Sequence, residues 1–166
     1  MLALKIGLSL NTIKTLGGWT PESEASALAW WRKATGVTTE EGKLTDWLDQ
    51  IGNNHNFRQV TEEERPTYTS SGANEGTVTF DSSATNNLEI TTQITLAANS
   101  AFTVGMRVNV ASTGSLFTDN TTSGEFIRIM STTQLRIKLS NGTSRNFDLS
   151  EGVWTDKKTI IVTRTT

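Results

Sequence analysis

The chain has 166 residues and a net charge of -2 at neutral pH, which is enough for one domain with a core and gives no broad basic face for nucleic acid. Hydrophobic residues make up 35% and charged residues 19%, and five Trp with six Phe indicate a packed interior rather than a disordered chain. Cysteine is absent, which excludes disulfides, thiol nucleophiles and zinc–thiolate sites, and no apolar run is long enough to predict a membrane span.

The first segment, residues 1–18, begins with alternating apolar and small or polar residues. The apolar positions are Leu2, Leu4, Ile6, Leu8 and Leu10. This two-residue period is typical of a half-buried strand. Two interpretations are open: a first strand of the domain, or an assembly arm that adds as a strand to a neighbouring subunit. The pattern lacks the charged start and cleavage site of a signal peptide. Residues 19–166 are predicted to form the domain itself.

The next segment contains helix-start, strand and turn signals. Thr20-Pro21-Glu22 combines a hydroxyl cap, a first-turn proline and an acid, which predicts a helix of a turn or two ending near Leu28. The following apolar stretch, Leu28–Trp31, is predicted to be a buried strand. Residues 43–49 then lead into a polar, turn-forming cluster at residues 50–56.

From Pro66 onward the sequence predicts strands separated by turns. The predicted strands are Thr77–Phe80, Leu88–Thr92, Phe102–Val110, Gly114–Phe117, Glu125–Met130, Gln134–Leu139, Arg145–Leu149 and Lys158–Arg164. Asn141-Gly142 is the sharpest hairpin signal, because this pair favours the positive-φ turn between two strands. The predicted fold is all-β: an antiparallel two-sheet sandwich or jelly roll with at most one short helix.

A set of short motifs between Leu28 and Leu88 has a characteristic order and spacing. The motifs are Leu-Ala-Trp-Trp at 28–31, Leu-Thr-Asp-Trp-Leu-Asp-Gln-Ile-Gly-Asn-Asn at 44–54, Arg-Pro-Thr-Tyr at 65–68 and Val-Thr-Phe-Asp at 78–81. Together they resemble the opening of concanavalin-A-like, laminin-G-like jelly-roll domains. Three positions depart from the family pattern: Arg32, Ile51 and Ser82. The strands that close longer relatives are not evident, which leaves a smaller sandwich or an edge completed by a partner chain as alternatives.

The motif residues have structural roles that need no ligand. Trp31 and Trp47 are expected to bury large apolar areas between the sheets. Asp49 and Asn53 flank Gly52 and can bond to nearby backbone groups, which would hold an irregular turn. Gly52 itself would supply a backbone conformation that other residues resist.

No constellation in the sequence predicts catalysis or a cofactor. The single histidine, His55, lies in a polar turn without an obvious nucleophile or orienting acid nearby. Residues 62–64 are consecutive glutamates, whose side chains diverge on an extended chain. Asp81 with Asn86-Asn87, or Asp119-Asn120 with Glu125, supplies only part of a calcium ligand set. We therefore expect no enzyme, no metal site and no cofactor.

The resemblance implies a role, because such domains are common in tailed-bacteriophage virions and on bacterial surfaces. The expected function is that of a virion structural protein, most simply a capsid decoration or capsid-associated protein. Its partners would be the major capsid protein or neighbouring copies, with no nucleic acid and no membrane. The alternative is a carbohydrate-binding adhesion module that contacts a host glycan. For that alternative Trp154 is the best-placed aromatic contact, although the sequence favours a packing role for it in the core or at its rim.

Overall fold

The computed structural model describes residues 21–81, 83–96, 100–118, 126–138, 144–150, 153–154 and 156–165. Over these residues the protein is all-β, with antiparallel sheets and two three-residue 3-10 turns, Pro21–Ser23 and Glu62–Glu64. The chain divides into two compact units, Met1–Thr95 and Leu96–Thr166. No helix in the described ranges has the length and hydrophobicity needed to cross a bilayer.

The first unit contains a six-stranded antiparallel sheet built from short strands. These strands are β1 (Val37–Glu40), β2 (Lys43–Trp47), β3 (Phe57–Arg58), β4 (Thr67–Thr69), β5 (Thr77–Thr79) and β6 (Glu89–Ile90). The strand order is β5-β4-β2-β3-β6, and β1 pairs in addition with β2. Strand β2 is therefore central, and its Leu44 is completely buried.

A tight two-residue turn joins β1 to β2. Glu40 pairs with Lys43, and the intervening Glu41 and Gly42 have φ values of 50° and 78°. A turn with two positive φ angles matches the right-handed twist of hairpin strands, which explains why glycine is present at its second position.

Gly36, just before β1, is expected to be less replaceable than Gly42. Its φ is +66°, and a Cβ there would lie 2.9 Å from the Cβ of Leu48. At Gly42 the φ is +78°, but a Cβ would meet no atom within 4 Å. Gly42→Ala should therefore cost about 1 kcal/mol of unfolding free energy from backbone strain alone, whereas Gly36→Ala should cost about 2–3 kcal/mol. Urea unfolding of both variants checks this, and equal losses would contradict the close approach.

The second unit contains a four-stranded and a two-stranded antiparallel sheet. Its strands are β7 (Phe102–Val108), β8 (Gly114–Phe117), β9 (Ile127–Ser131), β10 (Gln134–Ile137), β11 (Arg145–Asp148) and β12 (Lys158–Arg164). The larger sheet has the order β11-β10-β9-β8, and the smaller one pairs β12 with β7 along their whole lengths.

The core of the second unit lies between its two sheets. Ile127, Ile129 and Leu135 from the larger sheet pack with Ile160 of β12. Along β7, every second residue is half-buried and the intervening ones are exposed, which is the alternation of a strand with one covered face. The second unit is thus a small sandwich, in which the two sheets bury their facing apolar side chains.

Most of the predicted strands are confirmed, two of them (Gly114–Phe117 and Lys158–Arg164) with the predicted bounds. The predicted all-β class and antiparallel sheets are confirmed as well. Strands β1, β2, β3 and β4 were not predicted. In place of the predicted helix the structure has only the 3-10 turn Pro21–Ser23. The arm residues Leu2–Leu10 and the turn Asn141-Gly142 lie outside the described residues.

The prediction of a strand at Leu28–Trp31 is wrong. Its backbone is irregular, and its polar groups bond across the turn at residues 49–53 instead of joining a sheet ladder. The N–H of Trp30 bonds to the Asp49 carboxylate, and the carbonyl of Leu28 accepts the Asn53 amide. An apolar run can thus be held by side-chain acceptors and donors as firmly as by a neighbouring strand.

Candidate functional site

A network of hydrogen bonds around Asp49, which we call the Asp49 network, holds the loop that follows β2 in place. The Asp49 side chain is only 7% exposed. Its Oδ1 accepts the N–H groups of Trp30 and Ile51, both at 2.9 Å, and its Oδ2 accepts that of Asn53 at 3.1 Å. A buried carboxylate with three backbone donors is satisfied inside the protein, so its chemistry is that of a structural anchor.

Two asparagine side chains, those of Asn53 and Asn56, add further hydrogen bonds to the Asp49 network. The N–H of Asp49 donates to Oδ1 of Asn56 at 2.9 Å, and the Asn53 amide donates to the carbonyl of Leu28 at 2.9 Å. Gly52 has a φ of 89° and Asn54 a φ of 60°, so two residues of the loop have positive φ angles in the left-handed region. The Asn53 amide thus holds the loop against Leu28, and the Asn56 amide joins the two ends of the loop.

The two motif tryptophans, Trp31 and Trp47, pack on Phe57 of β3. The ring centroids of Trp31 and Phe57 are 4.3 Å apart, and those of Trp47 and Phe57 are 6.5 Å apart. Both indoles are half-buried, and each donates its Nε1–H to a backbone carbonyl, that of His55 at 2.9 Å and that of Arg32 at 3.0 Å. The fully enclosed residue of this sheet is Leu44, which sequence reasoning did not single out.

Removing each indole donor should affect stability unequally. Trp31→Phe keeps an aromatic ring near Phe57 but leaves the partly buried carbonyl of His55 without its donor, which should cost about 1–2 kcal/mol. Trp47→Phe removes a more exposed bond and should cost less than about 1 kcal/mol, because water replaces the donor. Guanidinium unfolding followed by circular dichroism compares the two, and a larger loss for Trp47→Phe would contradict these placements.

His55 and a second polar network are also used within the fold. Nδ1 of His55 lies 2.6 Å from the carbonyl oxygen of Thr92. The buried amide of Gln59 donates to Asn87 at 2.6 Å and to Glu64 at 3.2 Å, and Asn87 in turn donates to Glu64 at 3.0 Å. These side chains join the loop before β6 to the 3-10 turn at Glu62–Glu64.

The oxygens proposed as a partial calcium set have protein donors. Oδ1 of Asp81 accepts the hydroxyl and the N–H of Ser83, and these bonds lower the pKa of the Asp81 carboxyl below its ordinary value. Oδ1 of Asn86 accepts the N–H of Asp81 at 2.9 Å. In the part of the chain that the structure describes, no three His, Cys, Asp or Glu side chains converge as metal ligands. Asp119, Asn120 and Glu125 lie outside it.

Trp154 packs against the core of the second unit. It is half-buried, and its Nε1 is enclosed without a hydrogen-bond partner among the described residues. Its indole thus contributes apolar contact to the core, and the packing role that the sequence favours is also the one its surroundings favour.

Two shallow grooves, each of ≈ 190 Å³, lie on the described surface, one in each unit. The groove in the first unit runs along β3 and β6, and the side chains of Arg58, Gln59 and Thr91 in its lining already have partners. Arg58 pairs with Asp46 at 2.6 Å, and the Gln59 amide is engaged as described above. This groove therefore offers few groups that a ligand could use.

The groove in the second unit, which we call the edge groove, is mainly apolar. It is lined by Phe102, Ile137, Phe147 and Val162, together with Arg145, Thr163 and Arg164. Thr163, which is exposed on the outer face of its sheet, also borders the groove. The Arg164 side chain donates to the carbonyl of Ser100 at 2.7 Å and lies over the Phe102 ring at 5.0 Å.

Phe147 contributes an exposed apolar surface to the edge groove, because the described strands of the smaller sheet do not cover its side chain. Phe147 pairs with Leu135, so both side chains lie on the same face of the larger sheet. Leu135 is in the core, whereas Phe147 is 50% exposed and every residue of β11 is exposed. Strands in a sheet lie about 4.8 Å apart, so the two described strands of the smaller sheet cannot cover all four strands of the larger one. β11 therefore extends beyond the covered part of the larger sheet.

The residues that form the edge groove were not identified from the sequence. Phe147 and Leu149 alternate with polar neighbours, and this two-residue period predicts that the Phe147 side chain faces inward. Its exposure depends on the number of strands in the facing sheet, and no local pattern reports that number. The predicted arm, Leu2 to Leu10, lies outside the described residues.

Comparison with known proteins gives no assignment: no protein family, no curated protein and no solved structure matches this chain. Its function therefore has to be inferred from the residues and contacts of the chain itself.

Proposed function

We propose that the protein is a non-enzymatic structural component of a tailed-bacteriophage virion, most simply a capsid decoration or capsid-associated protein. The observation that carries this proposal is the half-exposed Phe147 beside the edge of β12, which pairs only with β7 among the described strands. Open strand edges next to apolar side chains invite pairing with another chain, and soluble proteins usually protect them. An assembly partner gives such an edge its protection.

The motif that resembles virion jelly-roll domains supports the same role. Its polar residues Asp49 and Asn53 bond to backbone groups of their own loop and of residues 28–30, and so have a structural function. The carbohydrate-binding alternative receives less support, because Trp154 contacts the core and both grooves are below the roughly 300 Å³ typical of ligand pockets.

Immunogold electron microscopy on gradient-purified phage particles, with antibody against the purified chain, tests the proposal. Gold over the capsid, together with a stoichiometric copy number by quantitative mass spectrometry, is the expected result. Gold confined to tail-fibre tips would favour the adhesion alternative instead. Particles without the chain would overturn the virion role, and particles lacking the gene, mixed with antibody, are the control.

A further inference from the structure

The outer edge of β12 is long enough to accept another strand. β12 has seven residues, and one edge pairs with β7 along its full length. The other edge pairs with no strand that the structure describes. At about 3.3 Å per residue this edge offers roughly 23 Å of backbone for pairing. A strand added there would lie over β11 and would cover Phe147.

The sequence of this chain contains a segment with the matching pattern. Residues 2–10 place Leu or Ile at every second position, and the intervening residues are small or polar. As a strand this segment would be about 30 Å long, with one apolar face. Lys5 falls on the opposite face, away from the apolar side chains and away from the arginines of the groove.

We infer that the apolar arm, residues 1–10, of a second copy of this chain docks as an added strand on β12 and fills the edge groove. This inference rests on the proposed assembly function and names the contact that joins the copies. Main-chain hydrogen bonds to β12 supply affinity, and the alternate Leu and Ile side chains contact Phe147 and Val162. The smaller sheet then has three strands over the four of the larger sheet.

A contact between copies is the form of contact that the proposed assembly function requires. The arm, residues 1–10, and the groove, lined by residues between 102 and 164, are different parts of the chain. A contact between different surfaces of identical chains is head-to-tail, and it generates rings or open arrays. Such contacts suit a protein present in many copies on a particle.

The size of the edge groove also favours side chains of a strand over a separate ligand. Its volume of ≈ 190 Å³ is below the roughly 300 Å³ at which pockets begin to enclose a drug-sized molecule. A strand needs only shallow recesses for alternate side chains, because most of its contact is with the edge of the sheet.

Cysteine cross-linking on the full-length chain tests the contact without background, because the native chain has no cysteine. Ser9→Cys, on the outward face of the docked arm, and Thr163→Cys, on the outward face of β12, are made in separate chains, which are mixed and treated with a short bismaleimide. The expected product is a covalent dimer that forms in the mixture and in neither variant alone. Thr79→Cys is the matched control: it places a threonine-derived thiol on β5, an edge strand of the first unit. Mixed with Ser9→Cys, it should give no dimer.

Two outcomes of the cross-linking overturn the inference. The first is equal dimer formation with Thr79→Cys, which would show that the arm is near any sheet edge. The second is an internally linked monomer from the double variant Ser9→Cys/Thr163→Cys with no dimer from the mixture, which would place the arm on its own sheet.

A pair of phenylalanines gives an independent, quantitative test. Phe147 is 50% exposed and Phe80, in the first unit, is 51% exposed, so both serine variants remove similar exposed apolar surface. Phe147→Ser should weaken self-association about tenfold in analytical ultracentrifugation, and Phe80→Ser should leave it unchanged. In the arm, Leu8→Asp should abolish association, whereas Ser9→Asp adds the same charge on the opposite face and should not. Equal effects within either pair would contradict the docking.

Failure of this inference is distinguishable from failure of the proposed function. A chain that labels capsids but gives no arm-to-β12 cross-link is a virion protein that assembles by another contact. A chain that cross-links as expected but is absent from particles self-assembles outside a virion.

Discussion

Replacing Asp49 with alanine is expected to lower the free energy of unfolding by about 4 kcal/mol, because three backbone N–H groups lose a charged acceptor in a protected position. The loss should fall on the first unit. Trp30, Trp31 and Trp47 all lie there, so tryptophan fluorescence during guanidinium unfolding reports it directly. Hydrogen exchange should show faster opening of the β2 amides and of the N–H of Ile51.

Two further variants show whether the loss in Asp49→Ala comes from the hydrogen bonds of the Asp49 network or from the removal of a negative charge. Asp49→Asn keeps an oxygen for Trp30 and Ile51 but presents NH₂ to the N–H of Asn53, so it should cost about 1–2 kcal/mol. Asp46→Ala removes an aspartate from the same region, where it pairs with the 56% exposed Arg58, and should cost less than about 1 kcal/mol. A loss for Asp46→Ala as large as that for Asp49→Ala would refute the anchoring role.

The accuracy of the sequence predictions follows the physical origin of each element. β8 and β12 were predicted with their observed bounds, because alternation and flanking turn residues mark strands with one covered face. β1 was missed because Val-Thr-Thr-Glu carries little apolar signal, and the strand forms by pairing with β2 across a tight turn. Pairing partners distant in sequence leave no local mark.

The irregular stretch Leu28–Trp31 shows a different limit of local patterns. Four apolar residues in a row are typical of a buried strand, yet Leu28 is 47% exposed and the backbone bonds to Asp49 and Asn53. The sequence did indicate that these two polar residues bond to the backbone nearby. Their partners 19 and 25 positions away, however, are set only by the three-dimensional arrangement.

The candidate site divides in the same way. The arm was predicted from its two-residue period, which is a local pattern. An edge completed by a partner chain was an alternative that followed from the family resemblance. The edge groove was not foreseen, since it requires β10, β11 and β12 to meet with unequal numbers of strands in the two sheets. An overhang of this kind is a property of the sandwich as a whole, and it is what makes Phe147 accessible to a partner.

The sandwich of the second unit predicts a large contrast between two isoleucines. Ile127 is completely buried between the sheets, whereas Ile161, on the outer face of β12, is 56% exposed. Ile127→Ala should lower the free energy of unfolding by about 3–4 kcal/mol, through lost burial and a residual cavity, and Ile161→Ala by less than about 1 kcal/mol. Differential scanning calorimetry and hydrogen exchange of the β9 and β10 amides measure both. If the isolated chain lost as much stability from Ile161→Ala, the outer face of β12 would be covered in solution, which would contradict the exposure of Ile161.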